Sequence, residues 1–159
     1  MIQSNLLTYI IFLPTVGSLL LLLLKKDNST ALKTLGLVIS IATFVLSLVV
    51  YLNFDANNVG IQFSHKVPWI VSLNVSYFVA LDGVSLLLVL LTTFLTPIAL
   101  LSSWKSIEKR VKEYTIMILL LETGMLGVFC AFDLFLFYIF WEAMLIPMYF
   151  IIGIWGGGN

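Results

Sequence analysis

Two glutamates stand where hydrocarbon would normally exclude them. Glu122 and Glu142 each lie inside an apolar run, nine residues beyond an acid that marks the start of the run, Glu113 and Asp133 respectively. At 1.5 Å per helical residue each carboxyl lies ~13.5 Å deep, and from opposite sides, so both fall near the middle of a ~30 Å hydrocarbon core. A charged side chain there costs ~2.5–3.5 kcal/mol on the insertion scale, whereas each Leu, Ile, Phe or Val returns only ~0.3–0.6. Residues this expensive face a bundle interior or a hydrated cavity, take a partner, and mark ion paths. Low polarity favours the neutral form of a carboxyl, so an acid in that setting can load and release a proton. A sodium or substrate site is the chemical alternative, but two carboxylates do not furnish the roughly six to eight oxygens a hard cation takes. The bland alternative is a protonated or hydrogen-bonded packing residue, and it weighs more heavily on Glu122, which has no local support. Glu142 has some. Pro147 has no backbone N–H, which frees the Ala143 carbonyl beside the acid and makes a place for ordered water. Pro97 does the same to Thr93; Pro14 does it to Ile10, where ordinary kinking suffices.

No other residue makes a comparable case. Cys130 is the single cysteine and lies in an apolar run, so no internal disulfide and no multi-cysteine metal or iron–sulfur site can form. It reads as buried packing. His65 sits in a polar stretch with no second ligand at helical or hairpin spacing, and reads as a loop residue. Asn74-Val75-Ser76 matches a glycosylation acceptor, a pattern too common to count without a secretory context. Asp82 and Asp133 stand just before apolar runs and read as helix caps, with an ion-entry role as the alternative. There is no glycine-rich phosphate loop in a strand–helix setting. Self-contained redox, nucleotide or zinc chemistry is not expected, nor is binding of a cofactor, a metal or nucleic acid.

The elements that must position these acids follow from composition. Of 159 residues 61% are hydrophobic and only 10% charged, well below the quarter that a soluble surface needs. Cutting at the charges leaves five stretches of membrane-crossing length: 6–24, 34–52, 83–104, 114–132 and 134–155. The expected fold is therefore all-α, one polytopic domain of five transmembrane helices embedded in lipid. The first stretch lacks a preceding positive charge and ends in Lys25-Lys26, so it reads as a retained span and not as a cleaved signal. Lys25, Lys26 and Lys33 fall in one inter-helix loop and Lys105, Lys109, Arg110 and Lys112 in another, together seven of the eight basic residues. Basic residues favour the cytoplasmic side, so the amino terminus is expected outside and the carboxyl terminus in the cytoplasm. Trp69, Trp104 and Trp155 would mark interfaces. In the outer segment 53–81 the runs Ile61–Ile70 and Asn74–Leu81 contain strand-type alternation around Pro68, which predicts a small β-hairpin. The short turn at Phe132-Asp133 makes spans four and five antiparallel neighbours, with both acids at one height.

At this point the residues resemble a known family. The run from Phe132-Asp133 through Trp141-Glu142 and Ile146-Pro147-Met148-Tyr149 to Trp155 is similar to the fifth helix of the subunit M (chain 4) type of proton-pumping NADH:quinone oxidoreductase, respiratory complex I. The run from Leu81-Asp82-Gly83 and Ser85 to Pro97 resembles the third helix of the same subunit type. The resemblance extends from about Tyr77 to the carboxyl end. It implies an antiporter-like subunit of an enzyme complex, moving protons while NADH, FMN, iron–sulfur clusters and quinone are handled by partner subunits. It also implies that Glu142 is the functional acid, paired with a lysine on a later helix, and that Glu122 occupies a place where the family commonly has a glutamate of less settled role. The other membrane subunits of the complex would be its partners, and a bacterial inner membrane or its organellar equivalent its location. A subunit of a multisubunit cation/proton antiporter or membrane-bound hydrogenase shares the architecture and is the alternative. The family continues through many more helices, so the chain reads as the amino-terminal part of a longer subunit and is not expected to pump by itself.

Overall fold

The protein's computed structural model describes residues 2–157, apart from the side chain of Ile2. Gly158 and Asn159, with which the sequence closes, lie outside the described residues. Two helices, one hairpin and three further helices follow in order: α1 (Ile2–Leu23), α2 (Ser29–Asn53), β1 (Gln62–Ile70), β2 (Val75–Leu81), α3 (Gly83–Ser102), α4 (Val111–Cys130) and α5 (Leu134–Trp155). All five helices are long and apolar enough to cross a membrane. At 1.5 Å per residue, lengths of 20–25 residues give ~30–38 Å, a match to the hydrocarbon thickness.

Helix ends shift from the charge boundaries for local reasons. α2 begins at Ser29, ahead of Thr34, because the Asn28 side chain accepts from the Ala31 N–H at 3.1 Å and nucleates the first turn. α4 begins at Val111 and so takes in Lys112, whose ammonium donates to the carbonyls of Leu22 and Leu24 at 2.8 and 2.7 Å. Those are carbonyls left unpaired where α1 ends, a site that favours a cation. Likewise Lys33 lies within α2 and donates to the Trp104 carbonyl. Lysines at the ends of spans thus belong to the helices, their ammoniums reaching toward the polar ends. α4 stops at Cys130, short of Phe132, because the chain leaves it to pair with the hairpin: Phe132 N–H donates to Phe78 O at 2.8 Å and Ala131 bridges Val79.

The expected hairpin is present, β1 antiparallel to β2, with His65 opposite Val79 and Val67 opposite Tyr77. Its strands are joined by a single 3₁₀ turn, Val71–Leu73, that ends on Asn74 at φ 55°. Asparagine tolerates the left-handed region better than most residues. Pro68 lies beside a register shift, where a missing ladder donor is tolerated.

α4 is the centre of the bundle, packing on α1, α2, α3 and α5, while α5 packs mainly on α4 with β2 against it. The hairpin closes one end. There Val79 and Leu81 join Leu7, Ile10 and Ile11 of α1, Leu126 and Cys130 of α4 and Phe140 of α5 in one core. Leu21, Leu32, Val111 and Leu119 form a second core at the basic end. At that end Trp155 Nε1 donates to Lys109 O at 3.0 Å, so the basic loops and the end of α5 share a side. Between the two cores runs a seam of buried and half-buried hydroxyls. Ser47 and Thr93 share a 2.8 Å hydrogen bond between α2 and α3, and Thr15 and Thr123 one of the same length between α1 and α4. Hydroxyls of this kind hold helices together where apolar burial gives no driving force.

Candidate functional site

Helix rotation, which sequence alone leaves open, decides how the two acids are used. α4 meets α5 through glycines. A Cβ on Gly124 would stand 2.9 Å from the Met144 Cα, and one on Gly127 would run into the Phe140 ring. Glu122 precedes Gly124 by two residues, which is about 200° around the helix. It therefore points away from α5. On α5, Glu142 lies two residues from both Phe140 and Met144, again about 200° from the contact face. The acids sit on neighbouring helices and point in opposite directions. The glycine contact closes the space between them.

Glu122 is 1% exposed, and neither carboxyl oxygen has a hydrogen-bond partner among the described residues. Thr96 of α3 stands close by. Its hydroxyl, however, donates to Thr92 O at 2.9 Å and makes no bond of acceptable geometry to the acid. Glu122 forms the back of a cleft of about 240 Å³ between α3 and α4, whose other polar side chains are Thr92 and Thr96. Leu91 and Leu95, both about half exposed, stand on its outer wall. An ionised carboxylate held dry and unpaired is strongly unfavourable, so the site suits a neutral acid or one served by water in the cleft.

Glu142 differs from the expectation of a buried acid. It is exposed on the outer face of α5, midway along the helix, among exposed Trp141, Ile146 and Tyr149. The reason is packing: α5 is the least covered of the five helices and α4 the most. Pro147 is buried against the bundle, and the helix continues through it. Pro97 and Pro14 are likewise buried within continuous helices, Pro97 one residue beyond Thr96.

Asp82 and Asp133 both act as caps. Asp82 accepts from Ser85 N–H at 2.7 Å, and the bonds from Ser85 hold its carboxyl below the usual carboxylate range. Asp133 accepts from Ser76 N–H at 3.0 Å with one oxygen, and from Phe135 and Leu136 N–H at 2.9 and 3.1 Å with the other. Those bonds, Ser76 first, hold it low as well. Asp133 thus ties the hairpin to the start of α5. His65 is half-buried with Tyr77 edge-on to its ring, 6.0 Å between centroids, and among the described residues no three His, Cys, Asp or Glu side chains gather as a metal site.

The hydroxyl seam was not read from the sequence, although its signal is there. Gly36, Ser40, Thr43 and Ser47 recur at four, three and four residues along α2, and all four are buried. That spacing is the small-residue stripe of packed membrane helices. The cleft at Glu122 had no such signal, since it depends on how far α3 and α4 diverge.

Comparison with known proteins agrees with this architecture. The family described as NADH-ubiquinone oxidoreductase chain 4, amino terminus, matches residues 8–128. The NADH-quinone oxidoreductase subunit M of Rhodobacter capsulatus is 46% identical over 98% of this chain and 30% of its own length. The NADH-ubiquinone oxidoreductase chain 4 of Arabidopsis thaliana is 41% identical over 94% of this chain and again 30% of its own length. A chain in the structure of respiratory complex I from Thermus thermophilus with bound NADH superposes with a TM-score of 0.78 at 29% identity, covering 96% of this chain and 30% of that one. The chain therefore spans about a third of the length of these relatives. With the matched region reaching from α1 almost to the end of α4, the chain belongs to the NADH-ubiquinone oxidoreductase chain 4 family, and corresponds to its amino-terminal part.

Proposed function

We propose that this chain forms the amino-terminal part of an antiporter-like subunit that moves protons across the membrane, coupled to NADH oxidation and quinone reduction in respiratory complex I. The reaction class is that of an NADH:quinone oxidoreductase acting as a translocase. NADH, FMN, iron–sulfur clusters and quinone would be bound by partner subunits; a chain with one cysteine offers no ligand set for a cluster. Its partners would be the other membrane subunits of the complex, in a bacterial inner membrane or the organellar equivalent. The charge distribution supports an amino terminus outside the cytoplasm and a carboxyl terminus within it.

Glu142 would carry the proton, with Pro147 freeing a carbonyl beside it, and Glu122 would be a second intramembrane acid with Pro97 near its cleft. The observation that carries this reading is the position of Glu142, midway along a span, within the segment that resembles the family most specifically, and on the least covered of the five helices. An acid there needs a partner or a hydrated cavity. In the relatives roughly two thirds of the chain lies outside the matched region, long enough to cover α5 and bring a cation to the acid.

Replacing Glu142 by Gln in the full-length subunit keeps the shape and removes the exchangeable proton. Expected is loss of coupled proton translocation, read as NADH-driven acidification in inverted vesicles, with the complex assembled and NADH oxidation by an artificial acceptor unchanged. Normal translocation would end the proposal.

A further inference from the structure

We propose that Glu122 is a protonation site with its own access, the cleft between α3 and α4, and that it does not exchange protons in series with Glu142. The inference rests on the preceding reading of the intramembrane acids as proton-exchanging groups; it assigns Glu122 a separate route. Three observations carry it. Both oxygens of Glu122 are buried and unpartnered among the described residues, so the group is built into the protein without a structural hydrogen bond to justify it. The cleft beside it holds about 240 Å³. Its walls are mostly apolar, and Thr92 and Thr96 place hydroxyls in it beside the acid. The side toward α5 is closed, because Gly124 rests on the Met144 backbone and Gly127 lies beneath the Phe140 ring, which leaves no width for water. On the α1 side the hydroxyls of Thr123 and Thr15 are paired with each other at 2.8 Å. Toward α3 lies the cleft. Glu122 is the one titratable group that lines it, so no neighbouring charge there sets its state.

An apolar carbodiimide tests this. A carboxylic acid adds across the reagent's C=N bond, its proton going to nitrogen and its oxygen to carbon, and the adduct rearranges to a stable N-acylurea. Dicyclohexylcarbodiimide enters from hydrocarbon and reacts only with a protonated acid, so labelling reads opening of the cleft to the buried Glu122 carboxyl. In native membranes holding the assembled complex, peptide mass spectrometry is expected to find the adduct on Glu122, to the same extent in Glu142→Gln. Labelling is expected to fall several-fold in Ala99→Phe, which fills the cleft from the exposed wall of α3; Leu95→Trp serves if that variant fails to assemble. An unmodified Glu122 in the native protein overturns the inference. So does labelling that disappears with Glu142→Gln, or that is indifferent to a filled cleft. Normal pumping by Glu142→Gln would defeat the reading of Glu142 and leave the labelling result standing, so the two failures are distinguishable.

Discussion

Glu122 and Glu142 have almost identical sequence settings and opposite surroundings, one buried at the back of a cleft and one on the outer face of the bundle. Position along the helix was legible because nine residues of helix have a defined length; direction was not, because it depends on which face of α4 and α5 became the contact. The capping aspartates are the reverse case. Asp82 and Asp133 were legible as caps from their place before an apolar run, and the hydrogen bonds to Ser85, Phe135 and Leu136 are local. The bond from Ser76 to Asp133 crosses 57 positions and was not legible. Its consequence is testable. Both carboxyls are held below their ordinary values, so the stability they contribute is fully present above the unfolded carboxyl range near pH ~4 and is lost as pH falls through the folded values. Protection of the Ser76, Phe135 and Leu136 amides against hydrogen exchange, corrected for intrinsic rates, should be flat from about pH 7 to 5 and decline below about pH 4.

At the scale of elements, the α4–α5 pair depends on missing side chains. Glycine at 124 and 127 lets the two backbones approach, and this close contact gives α5 its extensive packing on α4. Gly124→Val would have to displace the Met144 backbone, an overpacking cost of about 1–3 kcal/mol or more. The expected outcome is a subunit that inserts but assembles poorly, measured as less intact complex on native gels and a lower midpoint of thermal unfolding. A substitution at Gly153, where an added Cβ meets nothing within 4 Å, should leave both unchanged in the described part of the molecule. Span count and approximate ends were readable from hydropathy, since the bilayer demands a fixed length of apolar helix. The exact ends were set by tertiary partners, as when Phe132 left α4 to bond with the hairpin.

For the molecule as a whole, the two ends differ chemically. One carries the hairpin and Asp133; the other carries both basic loops, with Lys112 and Lys33 pinned to carbonyls of neighbouring elements. The basic residues set the proposed orientation. Cys130 is buried, so single cysteines placed in a subunit otherwise free of exposed cysteines report sidedness. Lys109→Cys should be modified by a membrane-impermeant maleimide only from the cytoplasmic face and Lys66→Cys only from the opposite one. The reverse pattern would invert the proposed topology.

Amino-acid order alone determined the five spans, the caps, the hairpin and the place of both acids midway along their helices. Each follows from a length, a charge or a backbone rule acting over a few neighbouring residues. The packed bundle decided the rest: which faces of α4 and α5 meet, that Glu122 backs onto a cleft with α3, and that Glu142 is left on an open surface. Those outcomes depend on side chains far apart in the chain competing for the same contacts, and glycines at 124 and 127 won the competition by letting two backbones come closest.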